Sequence, residues 1–335
     1  MTGVLISQCV ADAYGARISD IARRCAHPLR IMAFAPAATP AASLHETVEI
    51  AFYSRDLWDG CDKTFINAET TGFFSTVDAI PGLRWLHVTS AGIDLPMYRP
   101  SLDRGVRVTT SSGSNAEPIA LTAVTGLLML ARGLPHWLAA QRRREWAPVQ
   151  SPNLPADLGG QTAVIVGMGP IGKGIARILK TLGMRTIGVR RHAAPAENFD
   201  AVLTFAQLDQ TLPDCDWLVI ACPLTQTTQQ LIDARRLGRL PRGARLINIS
   251  RGEIVDENAL AGALARQHLA GAYLDVFVQE PLPAGSPLWE MPNVIITPHN
   301  SSASVGNFGR GVEIFLGNLE RYLKGEPLDN EPLRA

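Results

Sequence analysis

Arg251, Glu280 and His299 each stand a few residues beyond a short apolar run: Arg245 to Ile249, Gly271 to Phe277 and Val294 to Thr297, respectively. Runs of that length and composition predict buried strands. All three side chains are therefore expected at strand C-termini, the side on which open α/β sheets bind ligands. An imidazole there can give a proton to a carbonyl oxygen as hydride reaches its carbon. A carboxylate can hold that imidazole and favour its charged form, and a guanidinium can fork onto a substrate carboxylate.

Hydride chemistry needs a dinucleotide site, and Thr162 to Gly183 has the pattern of one. The β-branched run Thr162 to Val166 predicts a strand, Gly167-Met168-Gly169-Pro170-Ile171-Gly172 a tight turn, and Ile175, Ile178, Leu179 and Leu182 a helix stopped by Gly183. In such a unit Gly167 permits the turn, Gly169 lets backbone approach a pyrophosphate, and Gly172 allows helix and strand to pack closely. The diphosphate is expected on the helix N-terminus, against Pro170 and Ile171. The next strand, Arg185 to Val189, runs into Arg190 and Arg191, with no carboxylate before Glu197. An acidic residue at this position binds the ribose 2′-hydroxyl of NAD, whereas arginine suits the 2′-phosphate of NADP. NADP is thus the expected cofactor, with NAD as the second choice. Cys222-Pro223-Leu224-Thr225, after the strand Trp217 to Ala221, is expected to border the nucleotide, with Cys222 as a small wall residue.

At 335 residues the chain exceeds one ordinary core, so two domains are expected. Residues 1 to about 115 alternate strand-like pieces (Gly3 to Ser7, Arg30 to Phe34, Glu49 to Tyr53, Leu83 to Thr89, Val106 to Thr109) with other segments, the pattern of a small parallel α/β domain. Two of its loops are candidate substrate binders. One holds Arg55, and the other is Thr89-Ser90-Ala91-Gly92-Ile93-Asp94, where backbone at Ala91 and Gly92 can hold a carboxylate. Ile119 to Ala131 predicts a buried helix leading out of this domain. Arg142 to Trp146 and the Pro-rich Pro148 to Pro155 read as a solvated helix end and a linker.

Composition narrows the partners. Thirty-one basic residues balance thirty-one acidic ones, so nothing in the charge favours nucleic acid or a membrane surface. Five cysteines without a Cys-x-x-Cys pair point to free thiols and the cytoplasm, with no metal site.

Asn248-Ile249-Ser250-Arg251-Gly252-Glu253-Ile254-Val255-Asp256, Leu274 to Phe277 through Glu280-Pro281-Leu282, and Thr297-Pro298-His299-Asn300-Ser301 closely resemble the signatures of the D-isomer-specific 2-hydroxyacid dehydrogenases. With the glycine turn, Cys222 to Thr225 and Gly92 to Asp94, the resemblance spans about residues 80 to 330. It implies a Rossmann-type doubly wound cofactor domain at 116–300 and a smaller flavodoxin-like α/β substrate domain at 1–115 and 301–335. An active crevice between the two and a homodimer are also implied. Arg251, Glu280 and His299 become the family's catalytic arginine, glutamate and acid/base histidine. Ser250 joins the cofactor residues, Asp275 is to hold the nicotinamide carboxamide, and backbone near Ala91 and Gly92 is to receive the substrate carboxylate. The departure is Arg190, where NAD-using members carry aspartate. The expected activity is NADPH-dependent reduction of small 2-keto acids of the glyoxylate or hydroxypyruvate class to D-2-hydroxy acids. The alternatives are a specialised oxidation of the 3-phosphoglycerate type and a dinucleotide-sensing binding protein like the family's transcriptional corepressors.

Overall fold

Apolar runs long enough for a strand but too short for a helix, each closed by a turn, give this chain two parallel sheets. In the computed structural model the described residues are 1–35, 47–61, 65–93, 95–151 and 154–332. They fall into two compact units, Met1–Asn115 with Ser304–Ala335, and Ala116–Ala303.

The first unit contains β1 (Thr2–Ser7), α1 (Gln8–Arg24), β2 (Leu29–Phe34), β3 (Val48–Tyr53), α2 (Arg55–Trp58), α3 (Ala68–Asp78), β4 (Trp85–Val88), α4 (Arg99–Asp103) and β5 (Arg107–Thr110). The strands pair in parallel in the order β2-β1-β3-β4-β5, the flavodoxin-like arrangement. Both faces of the sheet are covered. One packs on Phe73, Phe74, Val77 and Tyr98; the other packs on α1 and the chain's last helix, through Val10, Ile18, Phe315 and Leu319. That burial on two sides is why the strands read as continuous apolar runs instead of alternating ones.

The second unit begins with α5 (Ala116–Ala131) and α6 (Leu134–Arg142). It continues through β6 (Thr162–Val166), α7 (Pro170–Thr181), β7 (Arg185–Arg190), β8 (Ala201–Thr204), α8 (Leu208–Thr211), β9 (Trp217–Ile220), α9 (Ala234–Arg239), β10 (Arg245–Asn248), α10 (Glu257–Ala265), β11 (Gly271–Leu274) and β12 (Val294–Ile296). The order β12-β11-β10-β9-β6-β7-β8 is that of a doubly wound dinucleotide fold with a seventh strand added at one edge. β6 and β9 are parallel, but the direction in which successive strands are added across the sheet reverses between them, and ligands bind such sheets at the carboxyl ends beside that reversal. The chain then returns to the first unit as α11 (Asn307–Lys324).

Three details differ from the sequence reading. β8 was not expected. β11 stops at Leu274, so Asp275, Val276 and Phe277 leave the sheet, and its neighbour β12 ends correspondingly at Ile296. Arg55 is the first residue of a short helix and not a loop residue. Among the described residues no single helix is long and apolar enough to cross a membrane; α5 and α6 pass such a test only as a pair bent by 73°. Much of α5 is core, with Ala123, Val124 and Leu127 buried against the sheet.

Candidate active site

The glycine turn lies at the reversal point. Gly167 has φ of +106°, and a Cβ there would come within 2.4 Å of Cys222 N, so the ends of β6 and β9 meet at a distance only glycine permits. A Cβ on Gly172 would approach Gly167 O to 2.0 Å, which fixes the start of α7 against the turn. At Gly169, by contrast, nothing lies within 4 Å of such a Cβ. Gly169 is also the N-cap of α7, Pro170 follows it, and the first turn carries no acidic residue. An open backbone face at the positive end of a twelve-residue helix fits a diphosphate.

The neighbouring wall comes from β9. Cys222 is buried, and burial pushes its thiol up to about 12. Its carbonyl accepts the hydroxyl hydrogen of Ser250, which ties the ends of β9 and β10 together. Pro223 beside it is exposed. Arg190 closes β7, half-buried; its Nη2 donates to Ala194 O at 2.7 Å, and its Nε is a buried atom without a partner. Arg191 is exposed. Two cations at the strand end, one holding a polar atom not satisfied within the protein, fit the additional phosphate of NADP.

Arg251, Glu280 and His299 stand beyond the carboxyl ends of β10, β11 and β12, three adjacent strands. Asn248 shapes the turn into Arg251: its Oδ1 accepts from Ser250 N at 3.2 Å and its Nδ2 donates to Arg251 O at 3.0 Å. The Arg251 side chain is half-buried and donates through Nη1 to Ser250 O at 2.8 Å. Glu280 uses both oxygens. Oε1 accepts from Phe277 N at 3.0 Å, and Oε2 meets His299 Nδ1 at 2.7 Å. A carboxylate only accepts, so Nδ1 carries a hydrogen and Nε2 is the ring atom left for proton exchange with a ligand. The Glu280 side chain is 12% exposed and that of His299 36%, so a shielded carboxylate backs an accessible imidazole.

Two further contacts lock the Arg251 loop to the Glu280 loop. A Cβ on buried Gly252 would fall 2.0 Å from Phe277 C and 2.3 Å from Val278 N, so the two backbones touch. Glu257, on α10, accepts from Val278 N at 3.0 Å.

Asp275 is completely buried. Its carboxylate accepts from Thr297 Oγ1 at 2.7 Å, Asn300 N at 2.9 Å and Ser301 N at 3.1 Å, contacts the sequence reading did not foresee for a residue assigned to the cofactor. Arg55, Ala91 and Gly92 belong to the other compact unit. Arg55 is half-buried beyond β3, and Ala91 is exposed beyond β4. The carbonyl of Gly92 is held by Ser90 Oγ at 2.6 Å, and Asp94 lies outside the described residues.

Residues 124–301 match the family model for the D-isomer specific 2-hydroxyacid dehydrogenase, NAD binding domain. Glyoxylate reductase of Korarchaeum cryptofilum is 36% identical over 256 residues, 74% of this chain and 76% of that protein. The chain belongs to the D-isomer-specific 2-hydroxyacid dehydrogenases. As a D-2-hydroxyacid dehydrogenase it is an oxidoreductase acting on CH–OH donors with a nicotinamide dinucleotide, and its substrates are small 2-hydroxy and 2-keto acids. Glyoxylate/hydroxypyruvate reductase B of Pectobacterium carotovorum is 36% identical over 254 residues, 75% of this chain and 79% of that protein. The crystal structure of a D-isomer specific 2-hydroxyacid dehydrogenase from Xanthobacter autotrophicus, in complex with NADPH and MES, superposes with a TM-score of 0.76 at 28% identity, covering 99% of this chain and 98% of that one.

In this D-2-hydroxyacid dehydrogenase the residues that sequence reasoning missed support the site without facing a ligand. Asn248, Gly252 and Glu257 set the loops, and Thr297, itself bonded to Tyr273, holds Asp275. All but Tyr273 stood in or beside the quoted strings; Tyr273, inside an apolar strand, carried no signal beyond its hydroxyl.

Proposed function

We propose that this dehydrogenase reduces small 2-keto acids of the glyoxylate or hydroxypyruvate class to D-2-hydroxy acids, with NADPH preferred over NADH. When bound, the nicotinamide dinucleotide supplies the hydride. Gly167, Gly169, Pro170, Ile171 and Gly172 hold its diphosphate, and Arg190 and Arg191 the 2′-phosphate, while Cys222, Pro223, Ser250 and Asp275 belong to the cofactor side. Arg251 forks onto the substrate carboxylate and so orients the carbonyl. His299 delivers a proton from Nε2 to the carbonyl oxygen, and Glu280 keeps the ring in the competent tautomer and orientation. In the oxidative direction the neutral imidazole takes the proton back. Residues 116–300 act as the dinucleotide-binding domain. Residues 1–115 and 301–335 act as the substrate domain, presenting Arg55 and the backbone of Ala91 and Gly92 to the acid.

The observation that carries this reading is the 2.7 Å Glu280–His299 pair, set beside Arg251 on adjacent strand ends of a sheet whose reversal point carries the glycine turn. The NADPH named in the Xanthobacter structure supports the cofactor, and the reductases named among the relatives support the substrate class. A homodimer is supported by apolar side chains left exposed on α5 and α6 and just beyond: Leu121, Leu128, Trp137, Leu138 and Trp146, the last 97% exposed. The five free cysteines suit the cytoplasm. NADPH and NADH oxidation with a panel of 2-keto acids tests the reading. Turnover with glyoxylate or hydroxypyruvate and a preference for NADPH are expected; nucleotide binding without oxidation of either cofactor by any keto acid would make the protein a dinucleotide sensor instead.

A further inference from the structure

His299 adopts φ of +50°, a left-handed conformation that is unfavourable for a side-chain-bearing residue and persists only where its surroundings over-determine it. Here the surroundings are Asp275. Three successive amides turn toward that one residue: His299 N donates to its carbonyl at 2.8 Å, Asn300 N to its Oδ1 at 2.9 Å, and Ser301 N to its Oδ2 at 3.1 Å. Thr297 Oγ1 donates to the same Oδ1 at 2.7 Å. Threonine has a single hydroxyl hydrogen, so its oxygen must accept the remaining contact, 2.7 Å from Tyr273 Oη, and the tyrosine is the donor. A relay therefore runs from Tyr273 O–H to Thr297 O–H to the Asp275 carboxylate, and from there to the backbone of His299.

The far end of the relay is fixed to helix α5. Tyr273 is buried, and burial pushes its phenol up to about 12. Its ring lies so close to α5 that a Cβ on Gly126 would meet Tyr273 Cγ at 2.3 Å. From the same helix, four residues earlier, Thr122 Oγ1 shares its one hydrogen between Pro118 O at 2.9 Å and Ser301 O at 3.1 Å. Both ends of the His299 loop are thus braced on one helix, one through the tyrosine and one directly.

We infer that Tyr273 is a positioning residue for the acid/base histidine, acting through Thr297 and Asp275 to aim the His299 ring at Glu280. The inference rests on the role proposed above for His299. The relay does not touch substrate. Its loss lets the loop relax out of the left-handed conformation and lengthens the Nδ1–Oε2 contact, which affects proton delivery and leaves the glycine turn alone.

The test uses Tyr273→Phe, which removes one oxygen, with Thr297→Val and Thr297→Ser as a matched pair. The readouts are thermal melting, NADPH affinity by fluorescence, kcat and KM for glyoxylate, and the low-field proton resonance of His299 Nδ1–H in nucleotide-free enzyme, assigned by its absence in His299→Ala. Loss of one supporting hydrogen bond predicts a fall in kcat of about five- to tenfold in Tyr273→Phe and Thr297→Val, with NADPH affinity held within about twofold. The resonance should broaden or shift upfield in both, and Thr297→Ser should restore it together with kcat. An unchanged resonance and kcat in Tyr273→Phe and Thr297→Val overturn the inference, as does a Thr297→Ser enzyme no better than Thr297→Val. Should Tyr273→Phe fail to fold, the threonine pair decides. Normal turnover by His299→Ala would instead sink the proposed acid/base role, while the resonance still reports whether the relay holds the ring.

Discussion

Gly252→Ala adds a single carbon at a place where the structure leaves no room for it. The new Cβ would stand 2.0 Å from Phe277 C, 2.3 Å from Val278 N and 2.4 Å from Phe277 O, all backbone atoms that no rotamer change can move. Reaching ordinary van der Waals contact near 3.4 Å requires a displacement of about 1.4 Å, shared between the two loops. The peptide that must move supports the Glu280–His299 pair. Phe277 N holds Glu280 Oε1 at 3.0 Å, and Val278 N is anchored to Glu257 at 3.0 Å. Overpacking of this kind costs about 1–3 kcal/mol of stability, which leaves a folded enzyme. A misplacement of about 1 Å at the reacting groups costs roughly a hundredfold in rate. The expected outcome is therefore a kcat for keto-acid reduction lower by about two orders of magnitude, with NADPH affinity nearly unchanged. Steady-state kinetics, fluorescence titration of nucleotide and a melting curve separate the three effects. Turnover within about twofold of wild type in a fully folded Gly252→Ala protein would refute the claim that contact between these loops sets the geometry of the site.

Arg190→Ala should weaken NADPH about tenfold or more and spare NADH, because a charge-assisted bond to phosphate is worth about 1.5–3 kcal/mol; kcat/KM for both cofactors measures it, and equal losses would remove Arg190 from the 2′-phosphate. Glu280→Gln keeps the size but can turn an amide hydrogen toward Nδ1, so the ring loses its fixed tautomer and kcat for keto-acid reduction should fall about tenfold or more with NADPH affinity unchanged; wild-type turnover in the variant would take Glu280 out of the mechanism. Stability should depend on His87, which lies wholly buried between Thr109 and Ser111 and is lowered by burial from 6.5 to about 3. Between those values the unfolded chain binds the extra proton, so this contribution to stability is complete above about pH 6.5 and is lost as pH falls toward 3. At about 1.4 kcal/mol per unit, the loss from pH 6.5 to 5 is on the order of 2 kcal/mol. Denaturant titrations should show a shallower pH slope in His87→Asn than in wild type, and identical slopes would contradict the assignment.

The strands were legible in the sequence because sheets covered on both faces turn burial directly into apolar runs. Thr162–Val166 matches to the residue, and the other expected strands differ by a residue or two at their ends, except β11, which stops three residues short. β8 escaped for the same reason in reverse. At the sheet edge all four of its residues are only half-buried, and Ala-Val-Leu-Thr has too little pattern to declare itself. Arg251, Glu280 and His299 were legible as candidates because Arg, Glu and His are unusual just after apolar strands. The residues that hold them were hidden. That Asp275 would be enclosed by Thr297, Asn300 and Ser301 follows from where β11 and β12 end in register, which spacing along the chain does not reveal. Gly252 could be read as a turn, but not as the point where two loops touch.

The central claim is that His299, backed by Glu280, delivers the proton that accompanies keto-acid reduction. Single-turnover oxidation of enzyme-bound NADPH by glyoxylate, compared between wild type and His299→Ala at saturating nucleotide, reads that step directly. General acids contribute about 10²–10⁴-fold, so the variant should bind NADPH normally and oxidise it at least about a hundredfold more slowly. Oxidation of NADPH at the wild-type rate by His299→Ala would contradict the account.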